Sequence, residues 1–267
     1  MTVAIVGAGV MGETLLSGLI RSGRPARELL VVEKRPERAA ELREKYSVTV
    51  VDDAQAVEGA DTVALVVKPQ DMADVLGEIK PHLRQGQLVV SLAAGITTAY
   101  VESRLPEGVA VVRVMPNTPA LVDEGMAAIS PGTHCDDGHL EVAEQLLAAT
   151  GKVIRVPEKQ QDAVTAISGS GPAYLFFVVE AMIDAGVLLG LPRSTATELV
   201  VQTVVGSAKL LRETKEHPTV LRERVTSPGG TTAAAVRQLE DHKVRAAFIT
   251  AMEAARDRSR ALAEGTD

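Results

Sequence analysis

Apolar residues along the first 156 positions come in short, mostly β-branched runs, and amphipathic helical patterns separate these runs. The runs are nearly continuous and do not alternate with polar residues, which is typical of strands buried on both faces of a parallel sheet. Strands are predicted at 3–6, 29–33, 48–51, 62–67, 87–91, 109–114, 127–130 and 152–156, and helices at 12–22, 36–45, 69–80, 97–104 and 137–149. This alternation predicts an α/β, Rossmann-like doubly wound domain.

The strand pattern ends at Val156, and from there the chain reads as helices separated by glycine and proline. We therefore expect two domains, a Rossmann-like domain over 1–157 and an all-α domain over 158–267. Between Pro172 and Leu191 only Glu180 and Asp184 are charged. A helix that is apolar nearly all round must be buried nearly all round, so we expect this helix to pack against a second copy of the chain. A central helix inside one subunit remains the alternative.

A G-x-G-x-x-G motif follows the first predicted strand, which ends at Val6: Gly7-Ala8-Gly9-Val10-Met11-Gly12. In this pattern the first glycine allows a tight turn, the second lets the backbone approach a pyrophosphate, and the third permits close helix–strand packing. The N-terminus of the following helix supplies free N–H groups and a positive dipole end. The motif in this context predicts a dinucleotide site, and a purely structural glycine-rich turn is the alternative.

Charged residues at the end of the second predicted strand bear on which dinucleotide is bound. Glu33 lies 21 positions after Gly12, where a carboxylate usually binds the ribose 2′-hydroxyl of NAD. Lys34 and Arg35 follow at once, and an arginine there can pair with a 2′-phosphate. Two cations against one carboxylate favour NADPH, with NADH left open. The alternative is that all three charges are simply solvated.

Three further segments follow predicted strands and contribute to the expected cofactor site. They are Val66-Val67-Lys68-Pro69, Ser91-Leu92-Ala93-Ala94-Gly95 and Met115-Pro116-Asn117. In an open α/β sheet, ligands bind at the carboxyl ends of the strands. We therefore expect these segments to meet the cofactor, with small residues letting the nicotinamide ribose lie close to the backbone, although each segment alone has a structural explanation.

A second dense cluster lies in the all-α region: Thr226-Ser227-Pro228-Gly229-Gly230-Thr231-Thr232. Two glycines before a helix expose consecutive backbone N–H groups, and the two threonines add hydroxyl donors. This combination predicts a cradle for a carboxylate or phosphate at a helix N-terminus. The alternative is an elaborate N-cap, for which threonine is also suited.

Composition excludes several other classes of protein. The formal net charge is −7, and three Phe, three Tyr and no Trp leave no basic, aromatic surface for nucleic acid. The single cysteine, Cys135, excludes an intramolecular disulfide, and the five histidines show no metal-binding spacing, so no metal is expected. The longest uncharged stretches, 85–101 and 163–179, are broken by Gly and Ser. We expect no membrane association and a cytoplasmic location.

The motifs together resemble those of the pyrroline-5-carboxylate reductase family over essentially the whole chain. The matching segments, in order, are 7–12, 66–69, 91–95, 115–119, Ser168-Gly169-Ser170-Gly171-Pro172-Ala173-Tyr174 and 226–232. Membership implies hydride transfer from NAD(P)H to Δ1-pyrroline-5-carboxylate, giving L-proline in the last step of proline biosynthesis. It also implies a C-terminal helical domain that interlocks two subunits, often in decamers built of five dimers.

The resemblance also implies roles for individual residues. The cofactor would contact Val6, Gly7, Ala8, Gly9, Val10, Met11, Gly12, Lys34, Arg35, Asp53, Val66, Val67, Lys68, Pro69, Leu92, Ala93, Ala94 and Asn117. The backbone of Gly230, Thr231 and Thr232 would hold the substrate carboxylate, and the Thr232 hydroxyl would face the ring nitrogen as the catalytic group. Asp53 departs from the family, where Asn is common beside the adenosine ribose. No role is carried over to Lys215 or Arg224.

Two competing functions can be distinguished on the sequence. β-Hydroxyacid dehydrogenases share the domain order, but they resemble one another in using a lysine on the first helices of the second domain. Residues 168–191 of this chain contain no lysine. A catalytically silent sensor of NADP(H) would need no second anion cradle at 226–232. Both features favour the reductase.

Overall fold

The computed structural model describes residues 1–264. Within them, one eight-stranded sheet has the order β3-β2-β1-β4-β5-β6-β7-β8. The strands are β1 (Val3–Val6), β2 (Leu29–Val32), β3 (Thr49–Val50), β4 (Thr62–Leu65), β5 (Leu88–Ser91), β6 (Ala110–Met115), β7 (Gly125–Pro131) and β8 (Gly151–Arg155). All neighbouring strands are parallel except β6 and β7. The predicted doubly wound α/β class is confirmed.

Helices cover both faces of this sheet, which explains the continuous apolar runs. The helices are α1 (Val10–Arg21), α2 (Pro36–Tyr46), α3 (Asp53–Gly59), α4 (Met72–Ile79), α5 (Thr98–Glu102), α6 (Asp137–Leu147) and α7 (Gln161–Val164). Side chains of α1, α2 and α6 share one apolar cluster with Val3 and Ile5. Side chains of α3, α4 and α5 share the other cluster with Ala4 and Val6. Strands β1, β2, β4, β5 and β6 therefore contribute alternate residues to two cores.

Helix α3 is absent from the sequence-based prediction. It has seven residues, and its N-terminus depends on Asp52, whose side chain accepts a hydrogen bond from Gln55 N. So short a helix shows too few turns for a periodic apolar pattern, whereas its N-cap is a local signal that could have marked it.

The remaining helices are α8 (Gly171–Leu188), α9 (Arg193–Thr214), α10 (Pro218–Arg224), α11 (Thr231–Asp241) and α12 (Val244–Glu264). Contacts divide the chain into a first unit, made of Met1–Ser170 and the segment from Ala255 onward, and a second unit, Gly171–Ala254. Residues just past the expected boundary at 157/158 lie in the first unit because Gln161 donates to Ala128 O and Ser130 Oγ, at 3.2 and 2.8 Å. The end of α12 joins the same unit, where Ser259 Oγ donates to Asp162 at 2.8 Å.

Helix α8 exposes almost all of its apolar side chains. Phe176 and Phe177 are 67% and 73% exposed, and Pro172 alone is buried along the helix. The helical segment Glu158–Leu188 is also long and apolar enough, by length and composition alone, to cross a membrane. The expectation that Gly and Ser break this stretch is wrong, because Thr165–Gly169 continues the helix as a π turn closed by Ser170 N and Thr165 O at 2.8 Å.

Candidate active site

The glycine motif forms a tight turn between β1 and α1 that leaves its middle open. Gly7 has φ of +95°, and a Cβ there would lie 2.6 Å from Val66 O. A Cβ on Gly12 would collide with the carbonyl of Gly7, whereas a Cβ on Gly9 would meet nothing within 4 Å. The first and third glycines are therefore required by the fold. The second borders empty space that a ligand can enter.

The N-terminus of α1 is built to receive an anion. Gly9 is its N-cap and provides no side-chain cap, so the first N–H groups of the helix remain free. Glu13 lies in the first turn, but its charge is balanced by hydrogen bonds from Arg38, Lys45 and Tyr46. Partial burial opposes ionisation of Glu13, yet these donors prevail and lower its pKa to about 2. Free donors beside an open cradle fit the pyrophosphate of a dinucleotide.

The strand ends bring most of the predicted cofactor residues to one edge of the sheet. Val66 N donates to Val6 O at 2.8 Å, and Leu92 N donates to Leu65 O at 2.9 Å. The segments after β1, β4 and β5 therefore start side by side. Leu92 and Ala93 point into the two apolar cores, while Ala94 and Lys68 are exposed. Their contact with a cofactor stays a prediction.

A groove of about 520 Å³ lies beside the end of β2 and is lined by Glu33, Lys34 and Asp53, among others. Arg35 donates to both carboxylate oxygens of Glu33, and Lys34 Nζ donates to Glu78 Oε2 at 2.7 Å. Asp53 Oδ1 is buried without a hydrogen-bond partner among the described residues. Burial and the nearby Glu78 charge raise the pKa of Asp53. A buried acceptor without a donor fits a hydroxyl or amino group of an adenosine bound in this groove.

Asn117 is held by protein groups on both sides of its amide. Its Oδ1 accepts from Met126 N at 2.8 Å, and its Nδ2 donates to Ser168 O and Ser168 Oγ at 3.3 and 3.2 Å. This side chain braces the turn after β6 against the π turn before α8. Both ends of the amide therefore have protein partners, and any contact of Asn117 with a cofactor would be made beside these bonds.

The loop before α11 has the form of an anion cradle. Gly229 has φ of +70°, a conformation that favours glycine, and a Cβ on Gly230 would lie 2.5 Å from Ser227 Oγ, which would have to move. Gly230 caps α11 without a side-chain hydrogen bond. Within the part of the chain that the structure describes, the hydroxyls of Thr231 and Thr232 have no partner. The N-cap alternative for these hydroxyls therefore does not hold, and they are available to a ligand.

Two carboxylates near the candidate cofactor site were not foreseen from the sequence. Glu78 lies 44 positions from its partner Lys34, and Glu13 receives bonds from residues 25 to 33 positions away. Only the packing of α1, α2 and α4 brings these groups together, so no local pattern marks them. Within 1–264, no three His, Cys, Asp or Glu side chains form a group that could hold a metal ion.

Comparison with known proteins supplies the decisive observation. Residues 158–262 match the family model described as pyrroline-5-carboxylate reductase dimerisation, and residues 2–95 match NADP oxidoreductase coenzyme F420-dependent. The pyrroline-5-carboxylate reductase of Corynebacterium melassecola is 46% identical over 265 residues, covering 98% of each chain. The chain belongs to the pyrroline-5-carboxylate reductase family. The resemblance seen in the sequence motifs is confirmed.

Other members of the reductase family agree in sequence and in structure. The Pseudomonas aeruginosa enzyme is 42% identical, covering 98% of this chain and 97% of its own. The solved Coxiella burnetii reductase has a TM-score of 0.93 at 38% identity, and the Plasmodium falciparum reductase, crystallised with NADP bound, has 0.89 at 28%, each covering 98% of both chains. The fold class with its two parts is thereby confirmed.

The dimerisation match also explains the surface of α8. This helix lies inside the matched region, and its apolar side chains are exposed in the single chain. The alternative of a central helix buried inside one subunit is therefore wrong. The reductase family assigns this region to association between chains, which is what the apolar pattern predicts.

Proposed function

We propose that this protein reduces Δ1-pyrroline-5-carboxylate to L-proline by hydride transfer to the imine carbon, the last step of proline biosynthesis. The observation that carries the proposal is 46% sequence identity to a pyrroline-5-carboxylate reductase over 98% of the chain. The open glycine turn before α1 and the glycine loop before α11 agree with it. A nucleotide sensor would need only the first cradle. The loop before α11 therefore favours the enzyme over the sensor.

The residues proposed to bind the nucleotide belong to the first unit. The residues assigned to it are those of the glycine loop with Val6, the segments 66–69 and 92–94, the groove residues Lys34, Arg35 and Asp53, and Asn117. Bound NAD(P)H would supply the hydride. The open space at Gly9 and the free N–H groups of α1 bind and orient the pyrophosphate.

The residues proposed to bind the substrate belong to the second unit. The free N–H groups at the start of α11 and the positive end of its dipole hold the substrate carboxylate at Gly230, Thr231 and Thr232. The imine nitrogen is one ring bond from the carbon that bears this carboxylate. The unpartnered Thr232 hydroxyl donates a hydrogen bond to that nitrogen, which concentrates positive charge on the imine carbon.

A nicotinamide nucleotide is the cofactor. The preference for NADPH or NADH is the finer part of the proposal. Lys34 and Arg35 support NADPH, as expected from the sequence. NADH is the second candidate, because each of these cations already has a carboxylate partner and the buried Oδ1 of Asp53 suits a donor.

The proposed assembly is an obligate homodimer, and the family resemblance adds the decamer of five dimers as a higher state. A second copy suits α8 better than a membrane does, because Glu180 and Asp184 are exposed along its length and Asp184 pairs with Arg193 at 2.8 Å. We place the enzyme in the cytoplasm, with no nucleic acid or membrane partner.

The test is an absorbance assay of the purified protein with pyrroline-5-carboxylate and either NADPH or NADH. We expect loss of nucleotide absorbance only when the imine is present, and stoichiometric formation of proline. Tight nucleotide binding without turnover would instead identify a sensor.

A further inference from the structure

The carboxylate of Glu33, which follows β2, is bound by Arg35 in the way that an arginine binds a phosphate group. Glu33 Oε1 accepts from the backbone N and Nε of Arg35, both at 2.9 Å, and Oε2 accepts from a terminal guanidinium nitrogen at 3.0 Å. The Glu33 side chain is 7% exposed, whereas that of Arg35 is 66% exposed. A carboxylate thus occupies the two-donor fork with which arginine would recognise a 2′-phosphate.

The charge around this pair disfavours a further anion. Lys34 is engaged by Glu78, and Asp53 lies in the same groove. Asp52 and Arg43 also line the groove, so four carboxylates face three cations, a formal balance of −1. Hydrogen bonds from Arg35 lower the pKa of Glu33, so its carboxylate is ionised at neutral pH. A 2′-phosphate entering the groove meets Lys34 and Arg35 already paired with carboxylates. The third cation, Arg43, donates to Val50 O at 3.3 Å.

We propose that Glu33 sets the nucleotide preference of this chain by competing with the 2′-phosphate for Arg35 while offering an acceptor to a 2′-hydroxyl. A 2′-phosphate must displace Glu33 from the guanidinium, whereas a ribose hydroxyl can donate to the carboxylate as it stands. The inference rests on the proposed nucleotide-dependent function. It predicts that Glu33 lowers the ratio of NADPH affinity to NADH affinity below the value that Lys34 and Arg35 alone would give.

The test measures binding of nucleotide fragments to the full chain by calorimetry, without turnover. Adenosine 2′,5′-bisphosphate and 5′-AMP differ only at the 2′ position, so the ratio of their Kd values reports the competition. In Glu33→Gln we expect this ratio to shift toward the bisphosphate by roughly tenfold, with weaker 5′-AMP binding contributing to the shift. In the Arg35→Ala background the same substitution should shift the ratio much less, because the competition acts through the guanidinium.

Glu41→Gln is the matched control. It removes the same charge from an exposed glutamate on α2, whose partner is Arg38. An equal shift in this control would assign the effect to net charge alone and overturn the proposal. An unchanged ratio of the two Kd values in Glu33→Gln would also overturn the proposal. Glu33→Asp, whose shorter side chain does not reach the Arg35 guanidinium in the same way, checks that result in a second variant.

The fragment measurement separates this inference from the function on which it rests. Failure of both fragments to bind the unmodified protein would overturn the nucleotide site itself. Binding of both fragments with no dependence of their ratio on Glu33 would overturn the specificity role alone.

Discussion

The two compact units place their apolar residues in opposite ways. In the first unit two large apolar clusters cover both faces of the sheet, and residues of β1, β2 and β4 to β7 are almost wholly buried, whereas the edge strands β3 and β8 are more exposed. Of residues 171–254, all of which the structure describes, only Pro172, Ala196 and Val200 are buried. The first unit therefore contains its own core, whereas the second leaves its core incomplete in one chain. Apolar surface of this extent marks an association site.

The difference shows that one kind of sequence signal can have two outcomes. Uninterrupted apolar runs at β1 and β5 are covered by helices of the same chain, since the αβ connections place those helices on both faces. The apolar run in α8 packs against α9 in the second unit, yet most of its large side chains stay exposed, so one chain does not cover a helix that is apolar all round. Stability of the second unit should therefore depend on protein concentration.

The most severe test of this comparison places a charge on α8. Phe177→Glu should remove the folded, active dimer, because burying an unpaired carboxylate in an apolar interface is strongly unfavourable. Light scattering after size exclusion, from micromolar to nanomolar protein, measures the assembly. Val122→Glu is the control, since Val122 is 72% exposed in the first unit and should tolerate the change. A stable, active monomer of the Phe177 variant would show that α8 needs no partner.

In the first unit, Gly9→Val should abolish dinucleotide binding, with an affinity loss of at least roughly hundredfold, while the fold stays intact. Gly9 has φ of −67°, which valine adopts, and the added side chain would occupy only the open cradle. Fluorescence titration with NAD(P)H and circular dichroism measure the two effects. Gly77→Val, at another unobstructed glycine, should bind normally. Unchanged affinity at Gly9 would remove the nucleotide assignment.

In the second unit, Thr232→Ala should slow the hydride step on the order of 10²-fold to 10³-fold and leave nucleotide affinity nearly unchanged. Because its hydroxyl caps nothing in the described chain, the melting temperature should hardly move. Single-turnover kinetics and thermal melting separate chemistry from stability. Thr214→Ala is the control, since the Thr214 hydroxyl donates to Leu210 O at 2.9 Å and accepts from Glu216 N at 3.4 Å, both inside the protein. A lower melting point with normal turnover would make Thr232 a structural residue.

The smallest effect concerns a polar contact inside the first unit. The pKa of Glu13 falls from an ordinary 4.5 to about 2 on folding. Its contribution to stability is therefore complete above pH 4.5 and disappears as pH falls toward 2. Glu13→Gln should lower the melting temperature by several degrees at pH 7, since about 1 kcal/mol corresponds to roughly 2–4 °C for a domain of this size.

This difference should shrink progressively below pH 4.5, and it should not depend on protein concentration, unlike the effect at Phe177. Glu41→Gln, at a more exposed partner of Arg38, should change stability less. An equal loss at pH 3 and pH 7 would contradict the role of the ionised Glu13.

The sequence alone determined the strands, the glycine turn and the cradle before α11. These features are local, because apolar continuity reports burial and a positive φ, as at Gly7 and Gly229, favours glycine whatever the rest of the fold does. The apolar length of α8 likewise predicted a partner, since no short helical domain can cover it. In each case the information lies within a few consecutive residues.

Only the tertiary structure decided how the charged side chains pair and which strand reverses. The antiparallel step from β6 to β7 depends on the turn between them, and the Lys34–Glu78 pair depends on the loop after β2 meeting α4 across 44 positions. The same holds for Asn117, whose amide is used by Met126 and Ser168. Side-chain hydrogen bonds form wherever packing brings donors and acceptors within about 3 Å, so residue type alone cannot assign them.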